Sequence, residues 1–464
     1  MNTTNLEYFM SPKSIAIVGA TGTPGRAGYN FVANLVKSKF LGKIYPVNPH
    51  LEEIIGIKVY SSMKHLPERV DLVIVATGLQ SVLDVVSECA ERGAGAVIIS
   101  SAGFADNGVE GKRLQERLVD ITKERGIRII GPNTQGLINV AEKLVLVSTT
   151  ASVPPIIKGR GVTWVCQTAF FYWDWVLKNP HLGLSKAIDL GNMCDVSHTE
   201  FLEYLATDPE TRVIALHIEG IREGKRFMEA ATKLTLKKPV IVLKTGRTLA
   251  AAEAIASHTG SLAGRDEIYD ASFRQAGIIR AKDINELTDL TKTFASLPLL
   301  PSGRRVGVIT FSGAAGGLAA DACEEFGLTL PEFSPTTIDK LKQVLPAWAR
   351  VGNPIDIFPF IGVNAQTHYH VALEAISSDP NIDAVLLIGM MTATIPEWSA
   401  LEVLHEYADK GVEKPTVVCG FKDDEGARRL TSLETKGVPA YSSVSDAARA
   451  IAASYARYQY LIKR

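Results

Sequence analysis

The stretch that decides the fold lies near the amino terminus, where residues 14–28 read SIAIVGATGTPGRAG. The first five residues, Ser14–Val18, have the pattern of a parallel strand that is buried on both faces. They run into a turn with glycines at positions 19, 22, 25 and 28, and a helical pattern follows over Tyr29–Lys37. Glycines let a backbone approach an anion, and a helix N-terminus presents free N–H groups to it. A strand, a glycine-rich turn and a helix in this order predict a phosphate-binding loop at the edge of a parallel sheet.

The residues around this turn distinguish between nucleotides. The glycine spacing is G-x-x-G-x-x-G rather than G-x-G-x-x-G, and Asn48 and Pro49 follow the second predicted strand. A site for NAD needs Asp or Glu there to bind the ribose hydroxyls. Arg26 adds a cation that suits a ligand with additional phosphates. We therefore expect a phosphate-rich nucleotide such as coenzyme A, and the alternatives are an NAD site or a turn that only packs the helix against the strand.

The alternation of strand and helix continues along the 464 residues and divides into three blocks. Stretches rich in Pro and Gly at residues 152–161 (SVPPIIKGRG) and 297–303 (LPLLPSG) separate them. This pattern predicts an α/β protein with three parallel-sheet domains, over residues 1–150, 151–300 and 301–464. The predicted strands are Ser14–Val18, Ile44–Val47, Leu72–Ala76, Ala96–Ser100, Ile127–Ile130, Val162–Cys166, Val213–Ile218, Val240–Lys244, Arg305–Phe311, Ala384–Ile388 and Thr416–Gly420.

Composition excludes several classes of protein. The 49 Lys and Arg balance 50 Asp and Glu, so no net field attracts nucleic acid or an anionic membrane. Charges, Gly or Pro interrupt every apolar stretch before the ~20 residues that span a bilayer, and the N-terminal residues lack the pattern of a secretory signal. The five cysteines are scattered without a CxxC pair, which argues against a disulfide scaffold or a zinc site. We therefore expect a cytoplasmic protein with no metal site of its own.

Longer segments carry a specific resemblance. In the first block, IAIVGATGTPGRAGYN (15–30), IYPVNP (44–49), SAGFADNGVEG (101–111) and GPNTQGLIN (131–139) resemble the CoA-binding domain of the NDP-forming acyl-CoA synthetases, which are relatives of the succinyl-CoA synthetase α chain. Segments of the later blocks follow in the family's order: DLGNMCDVSHTEFLEYLATDPETRVIALHIEGIREG (189–224), LKTGRT (243–248), SHTGSLAG (257–264) and PAWARVGNPIDI (346–357).

The resemblance implies a fold and a cofactor site. It makes residues 1–150 a Rossmann-like CoA-binding domain, residues 151–300 a ligase domain with a phosphohistidine loop, and residues 301–464 a second flavodoxin-like ligase domain. The α subunits of two-subunit ADP-forming acetyl-CoA synthetases are the members that the chain resembles best. The family's contacts to coenzyme A fall on Gly19, Thr21, Gly22, Gly25, Arg26, Asn48, Pro49, Thr77, Ser101, Gly103, Phe104 and Asn133.

A histidine between hydroxyl residues is the predicted chemical centre. Standing alone, His258 is most simply a surface or hydrogen-bonded core residue, but the loop Ser257–Ser261 leads into a helical pattern and offers donors to a phosphoryl group. The resemblance implies that His258 is phosphorylated and that Glu219 pairs with it. A carboxylate on one ring nitrogen leaves the other nitrogen nucleophilic, whereas an ordinary salt bridge is the alternative for Glu219. The predicted phosphate and substrate contacts are Gln167, Thr168, Ser257, Thr259 and Gly260.

The sequence departs from the family after the first strand of the second block. Where relatives have a Ser-Gln-Ser-Gly turn, residues 166–175 read CQTAFFYWDW. Cys166 and Ala169 replace a hydroxyl and a glycine, while Thr168 keeps one hydroxyl. The aromatic run that follows predicts either a helix buried at a domain interface or a larger, more apolar acyl pocket. In the third block, residues 311–317 (FSGAAGG) open a helix that is either a packing turn or an approach to the phosphohistidine or a partner.

The absence of a nucleotide motif implies a partner. No G-x-x-x-x-G-K-[ST] loop occurs, and no segment resembles the ATP-grasp fold that carries the family's ATP/ADP site. The resemblance therefore implies the α subunit of a hetero-oligomer, with ATP/ADP and Mg²⁺ on an ATP-grasp β subunit. The expected reaction is reversible ADP-forming acyl-CoA synthesis from a small carboxylic acid. The rival hypotheses are a CoA-binding regulatory or scaffold protein that has lost the chemistry, and an NAD-dependent oxidoreductase.

Overall fold

The computed structural model describes residues 6–149, 160–251, 265–357, 365–395 and 398–464. The chain divides into two compact units, Met1–Ile284 and Asn285–Arg464. The first unit contains a five-stranded and a seven-stranded sheet, and the second contains another five-stranded sheet. Across the described ranges, no helix has the length and apolar character needed to cross a bilayer.

The first sheet is entirely parallel and has the order β2-β1-β5-β6-β7. Its strands are short buried runs, which is the pattern expected when helices cover both faces. The elements of this region are α1 (Glu7–Met10), β1 (Ser14–Val18), α2 (Ala27–Lys37), β2 (Lys43–Val47), β3 (Glu53–Ile54), β4 (Ile57–Lys58), β5 (Leu72–Val75), α3 (Val82–Glu91), β6 (Ala96–Ile99), α4 (Gly108–Arg125) and β7 (Arg128–Ile130).

The second sheet has the order β14-β13-β12-β10-β11-β8-β9. Strands β10 to β14 are parallel, and β8 and β9 form an antiparallel hairpin that extends the sheet from β11. The elements are β8 (Gly136–Asn139), β9 (Leu144–Val147), β10 (Val162–Cys166), α5 (Phe170–Lys178), β11 (Lys186–Asp189), α6 (His198–Leu205), β12 (Val213–Ile218), α7 (Gly224–Thr235), β13 (Val240–Lys244), α8 (Asp266–Ala276) and β14 (Ile279–Ala281).

The third sheet is parallel and has the order β16-β15-β17-β18-β19. The remaining elements are α9 (Ile284–Ser296), β15 (Val306–Thr310), α10 (Gly313–Glu325), α11 (Pro335–Val344), β16 (Ile355–Asp356), α12 (Ala365–Ser377), β17 (Ala384–Met391), α13 (Leu401–Lys410), β18 (Thr416–Lys422), α14 (Asp424–Thr435), β19 (Ala440–Tyr441) and α15 (Val444–Ile462).

The structure bears out the predicted strands and adds others that the sequence pattern did not indicate, among them β11, β14, β16, β19 and the hairpin β8–β9. Observed strand ends differ from the predicted ones by a few residues at most, as at Val306–Thr310 and Lys43–Val47. The hairpin β8–β9 belongs to the second sheet, although it precedes the Pro/Gly-rich stretch. Helix α2 of the first sheet also holds it, because the Asn34 amide donates to the Val147 carbonyl over 2.8 Å. The hairpin therefore joins the first two sheets into one unit.

All three parallel arrangements follow one topology. Numbered along the chain, the parallel strands of each sheet have the spatial order 2-1-3-4-5, one of the two common doubly wound orders. In such sheets the connections leave in opposite directions from strands 1 and 3, and ligands bind beyond the carboxyl ends of these strands. This topology therefore predicts ligand sites at the carboxyl ends of β1 and β5 in the first sheet and of β10 and β12 in the second.

Candidate active site

The glycine turn lies at the switch point of the first sheet. Gly19 directly follows β1, has φ +87°, and donates its N–H to the Val47 carbonyl over 3.2 Å. A Cβ atom at Gly19 would lie 2.6 Å from the Ala76 carbonyl oxygen, and one at Gly28 would lie 2.1 Å from the Gly19 carbonyl oxygen. These two glycines are required because the backbone approaches itself too closely for any side chain.

The middle of the turn is open and has a different role. Gly22, Gly25 and Arg26 are exposed, and a Cβ atom at either glycine would meet no atom within 4 Å. Arg26 is the N-cap of α2, and because a guanidinium has no hydrogen-bond acceptor, its side chain does not cap the first N–H groups of the helix. An exposed cation beside a helix N-terminus suits a phosphate group.

The neighbouring strand ends support this turn. Asn48 donates its side-chain amide to the Ala20 carbonyl over 2.7 Å and accepts the His50 N–H over 2.8 Å, while Pro49 is exposed. The side chain that stands where NAD enzymes carry an acid therefore holds the loop in place. On the other side, Thr77 follows β5 beside Gly19, and the Thr77 Oγ1 atom is buried without a hydrogen-bond partner among the described residues.

The ends of β6 and β7 complete the edge. The Ser101 hydroxyl donates to the Thr77 carbonyl over 2.6 Å, and the Asn133 N–H donates to the Ser101 carbonyl over 3.0 Å. The N–H groups of Gly103 and Phe104 bond to the Asp106 carboxylate over 2.9 and 3.0 Å. The Phe104 ring is completely buried in the core, so only the backbone of Phe104 is available to a ligand. The predicted cofactor residues thus form a connected series along one sheet edge.

We predict that Gly22→Val weakens CoA binding at least about tenfold while the fold is retained. A valine at this open position meets no protein atom, but it covers the approach to the helix N-terminus. Arg26→Ala should weaken binding less and leave it less sensitive to salt, because it removes one exposed charge. Titration calorimetry with CoA measures both effects. Gly224→Val is the matched control, since Gly224 is also open and begins a helix, and equal affinities for the Gly22 variant and wild type would contradict the assignment.

Gln167 and Glu219 meet at the switch point of the second sheet. They directly follow β10 and β12, and Gln167 Oε1 accepts the N–H groups of Glu219 and Gly220 over 2.6 and 3.3 Å. Gln167 is 4% exposed, and its Nε2 atom is buried without a hydrogen-bond partner in the described part of the chain. The amide is oriented by its oxygen, which leaves two N–H donors for an acceptor that the described residues do not supply. Thr168, half-buried, follows it.

A buried cation lies near Glu219. Glu219 is 7% exposed, and Lys244, at the end of the adjacent β13, is buried with its ammonium 4.7 Å from the centre of the Tyr269 ring. Burial lowers the pKa of Lys244, while the charges of Asp266 and Glu219 oppose that shift. Lys244 and Glu219 therefore interact electrostatically at the ends of two adjacent strands.

Asp189 is a further carboxyl group at this edge, and the sequence prediction did not include it. It ends β11 and accepts the N–H groups of Gln135 and Gly191 over 2.7 and 3.1 Å. Burial is the main cause that raises the pKa of Asp189 to about 6; these hydrogen bonds lower the pKa, and the charge of Glu219 raises it. The buried Cys166 thiol and Tyr172 hydroxyl lie near Asp189, and burial raises the pKa of each well above its usual value.

We predict that the pH dependence of stability changes in Asp189→Asn. Between pH ~4 and ~6 the folded protein retains a proton on Asp189 that the unfolded chain has released, so a rise in pH across this window destabilises wild type. Two pKa units correspond to about 3 kcal/mol, and the amide variant lacks this loss. Denaturant unfolding from pH 4 to 7 measures the difference. Asp120→Asn, at an exposed position of the same unit, controls for the loss of one charge, and parallel curves for wild type and Asp189→Asn would contradict the prediction.

The described histidines of this unit near the site belong to its core. His217, two residues before Glu219, stacks on Phe171 with 4.0 Å between ring centres, and its Nε2 atom lies 3.0 Å from Thr245 Oγ1. His198 Nε2 hydrogen-bonds the His217 carbonyl over 2.9 Å. Burial lowers the pKa of His217 to about 3 and of His198 to about 4, so both rings are neutral at pH 7.

The predicted histidine loop lies outside the described residues. Ser257, His258, Thr259 and Gly260 fall within residues 252–264, as does the predicted start of the following helix. Before this segment, the chain forms β13, which pairs with β12, the strand that precedes Glu219. After it, the chain forms α8, which begins at Asp266. The role of His258 and its pairing with Glu219 thus remain predictions.

The aromatic run is divided between core and surface. In α5, Phe171, Tyr172 and Trp175 are buried, and Trp175 lies 5.9 Å from the Trp164 ring of β10 and donates its indole N–H to the Gly183 carbonyl over 3.0 Å. Phe170 and Leu177 are exposed on the same helix. Packing against the second sheet therefore accounts for most of the run.

The glycine-rich segment of the third block opens a helix as predicted. Ser312 is the N-cap of α10, and a cavity of about 710 Å³ lies between this helix and the start of α15. Phe311, Leu318 and Cys419 are among the residues that line it. Gly316 is the buried residue of this segment, whereas Gly313, Ala314 and Gly317 are exposed, so both predicted roles of the segment stay open.

Comparison with known proteins defines the class. Residues 13–139 match the family model of a CoA binding domain, residues 162–294 that of a succinyl-CoA ligase like flavodoxin domain, and residues 306–463 that of a ligase-CoA domain. The expected α/β fold, with a CoA-binding domain followed by succinyl-CoA ligase-like domains, is confirmed. These are the domains of CoA ligases.

Individual relatives define the family more narrowly. The chain is 37% identical over 459 residues to the acetate–CoA ligase [ADP-forming] II subunit alpha of Pyrococcus furiosus, covering 98% of this chain and 97% of the relative. It is 37% identical over 458 residues to acetate–CoA ligase [ADP-forming] II of Archaeoglobus fulgidus, covering 96% of this chain but only 65% of that protein. A structure of acetyl-coenzyme A synthetase 1 from Ca. Korarchaeum cryptofilum superposes with a TM-score of 0.88 at 30% identity, covering 99% of this chain and 98% of the other. The chain therefore belongs to the family of the ADP-forming acetate–CoA ligases, as its motifs indicated.

Proposed function

We propose that this chain is the α subunit of an ADP-forming acyl-CoA synthetase, which interconverts a carboxylic acid, CoA and ATP with acyl-CoA, ADP and phosphate. The observation that carries the proposal is the placement of two sets of residues at the switch points of two sheets within one compact unit. One set surrounds the open glycine turn, and the other centres on the contact of Gln167 Oε1 with the Glu219 N–H. The α-subunit relatives match this chain over 97% of their own length.

The proposed reaction consists of one acyl transfer and two phosphoryl transfers, so it needs no oxidant or reductant. A phosphate oxygen attacks the acyl-CoA carbonyl, the C–S bond breaks, and CoA leaves as its thiol with an acyl phosphate as the other product. A ring nitrogen of His258 then attacks phosphorus and releases the carboxylate, and the phosphohistidine passes its phosphoryl group to ADP.

This chain supplies binding and orientation for these steps. The exposed turn around Gly22 and Arg26 binds the phosphates of CoA. The Nε2 N–H groups of Gln167, which bond to no described residue, contact the phosphoryl oxygens together with Thr168. Glu219, which interacts electrostatically with Lys244, accepts a hydrogen bond from one nitrogen of His258 and so directs the other toward phosphorus. Residues Ser257, Thr259 and Gly260 supply further donors to the phosphoryl group.

We further propose that an ATP-grasp β subunit completes the enzyme as a hetero-oligomer. The chain spans 65% of the Archaeoglobus relative and 97% of each of two Pyrococcus furiosus proteins that are named as alpha subunits. ADP, ATP and Mg²⁺ then bind on the partner.

All five cysteines are free and buried, which supports a location in the reducing cytoplasm. We propose three domains, over residues 1–150, 151–300 and 301–464, in which the hairpin β8–β9 of the first domain extends the sheet of the second.

One departure favours a second candidate, a CoA-binding regulatory protein. The Cys166 thiol, which replaces a hydroxyl, is buried with its pKa raised by burial, so it is a poor nucleophile and a weak donor. We also propose an acyl pocket larger and more apolar than one for acetate, lined by side chains of the following helix that do not pack in the core, such as the exposed Phe170. The presence of both His258 and Glu219 favours the enzyme over the regulatory protein.

The test separates these candidates. The purified chain is incubated with acetyl-CoA or a longer acyl-CoA and radiolabelled phosphate, with and without a candidate β subunit. The proposal expects label on the chain that is labile to acid and stable to base, as a phosphohistidine is. CoA binding without any label under all conditions would favour the regulatory protein, and the acyl-CoA that labels fastest identifies the acid.

A further inference from the structure

Residues 190–197 connect β11 to α6 and form what we term the bridging loop, which lies against the carboxyl edge of the first sheet. The N–H groups of Asn192, Cys194 and Val196 donate to the carbonyls of residues 132, 131 and 129 over 2.9, 2.9 and 3.1 Å. A Cβ atom at Gly191 would lie 2.3 Å from the Pro132 carbonyl oxygen. The loop therefore continues the edge of β7 and reaches Asn133, a predicted cofactor residue.

The side chain of Asn192 is the central contact of this loop. It is 3% exposed, and its Nδ2 atom donates to Asp106 Oδ1 over 2.8 Å and to Gln115 Oε1 over 3.1 Å. Asp106 accepts the N–H groups of Gly103 and Phe104, and Gln115 accepts that of Ala105 over 3.3 Å. The backbone N–H groups of residues 103–105, beside the predicted CoA site, are thus held by two acceptors that Asn192 holds in turn.

The bridging loop is also tied to the strand end that carries Glu219. Arg222, three residues after Glu219, donates to the Cys194 carbonyl over 3.1 Å and to the Asn192 carbonyl over 3.4 Å. At the start of the loop, the Asp189 carboxylate accepts the Gly191 and Gln135 N–H groups. The loop consequently contacts the first sheet on one side and the Glu219 segment on the other.

We infer that the bridging loop is a positioning element that aligns residues 103–105 of the predicted CoA site with the Glu219 edge, and that Asn192 is its principal positioning residue. The inference rests on the proposed function for the identity of the ligand. Asn192 acts through the half-buried Asp106 and the buried Gln115. Without its two N–H groups, both acceptors lose a donor, and residues 103–105 lose the support that fixes them before CoA arrives. The cost then falls on CoA affinity, because the ligand has to order the turn itself.

The test is titration calorimetry of the full chain with CoA, together with thermal unfolding. We expect the Kd of Asn192→Ala to rise about 10-fold to 100-fold, the range for leaving buried polar groups without partners. Asn139→Ala is the matched control: Asn139 is also 3% exposed, donates to one carbonyl, and has a buried Oδ1 atom without a partner in the described residues. It pairs with Lys186 at the opposite end of β11, so its loss should leave the Kd within about twofold.

A second variant tests the loop without disturbing the core. Arg222 is exposed, so Arg222→Ala retains the fold; we expect a Kd for CoA about threefold to tenfold higher and recovery in Arg222→Lys, which keeps a donor. In the double variant, the two effects should combine to less than their product, because both act through one loop. Affinities of Asn192→Ala and Arg222→Ala equal to that of Asn139→Ala would overturn the inference. Failure of wild type to bind CoA would instead overturn the proposed function, and the inference with it.

Discussion

His258→Asn is expected to abolish both the labelling of the chain by phosphate and the overall ligase reaction. The proposed carrier is a ring nitrogen, and an asparagine amide has no comparable nucleophilic lone pair, so the covalent step has no substitute. The fold and CoA binding should persist, because residue 258 follows β13 of the second sheet whereas the proposed CoA turn follows β1 of the first. The measurement is acid-labile, base-stable radiolabel on the purified chain, followed by turnover with the β subunit.

A histidine elsewhere in the chain provides the matched control. His370 is partly exposed on α12, with its Nε2 atom 3.6 Å from the Glu374 carboxylate. His370→Asn should label at the rate of wild type. Persistent label in His258→Asn would show that another residue carries the phosphoryl group, and full turnover in that variant would exclude the phosphohistidine mechanism.

Glu219→Gln is expected to slow phosphorylation of the chain by about 10²-fold to 10⁴-fold, the scale for loss of a positioned catalytic partner. Glutamine keeps the shape and the backbone N–H contact with Gln167 Oε1, but it removes the charge that orients the imidazole and balances Lys244. Single-turnover labelling with excess acyl-CoA measures the rate. Because the charge of Glu219 also raises the pKa of Asp189, the same variant should move the Asp189-linked loss of stability to lower pH.

The control for Glu219→Gln removes a similarly buried carboxylate elsewhere. Glu434, in the second unit, is 5% exposed and lies 3.5 Å from Lys292. Glu434→Gln should leave labelling unchanged even where it lowers stability. Labelling of Glu219→Gln at the wild-type rate would assign Glu219 to an ordinary ion pair.

The predicted strands were recovered because each is a short run of buried apolar residues, and such runs are a local signal. Ser14–Val18 and Val213–Ile218 occur as predicted. The hairpin β8–β9 was not predicted, because its pairing with β11 joins residues about 50 positions apart, as in the pair Ala187 and Ile138. Asp189 and Asn192 were missed for the same reason. Their sequence motif was noticed, but their roles depend on Gln135, Asp106 and Gln115, which the turns of the chain bring to them.

Local sequence by itself determined the alternation of strand and helix, the glycine turn and the family to which the chain belongs, since each depends on residues that are neighbours along the chain. Only the tertiary structure distinguished the four glycines of the turn. Gly19 and Gly28 are required by close backbone contacts and Gly25 by its φ of +85°, whereas Gly22 is open and has no such constraint. Likewise, only the strand order 5-4-3-1-2 placed Gln167 beside Glu219, 52 residues apart in the chain. Contacts of this kind arise because crossover connections bring distant strands together. Local propensity does not encode the path of a crossover, since burial and hydrogen bonding between distant segments determine it.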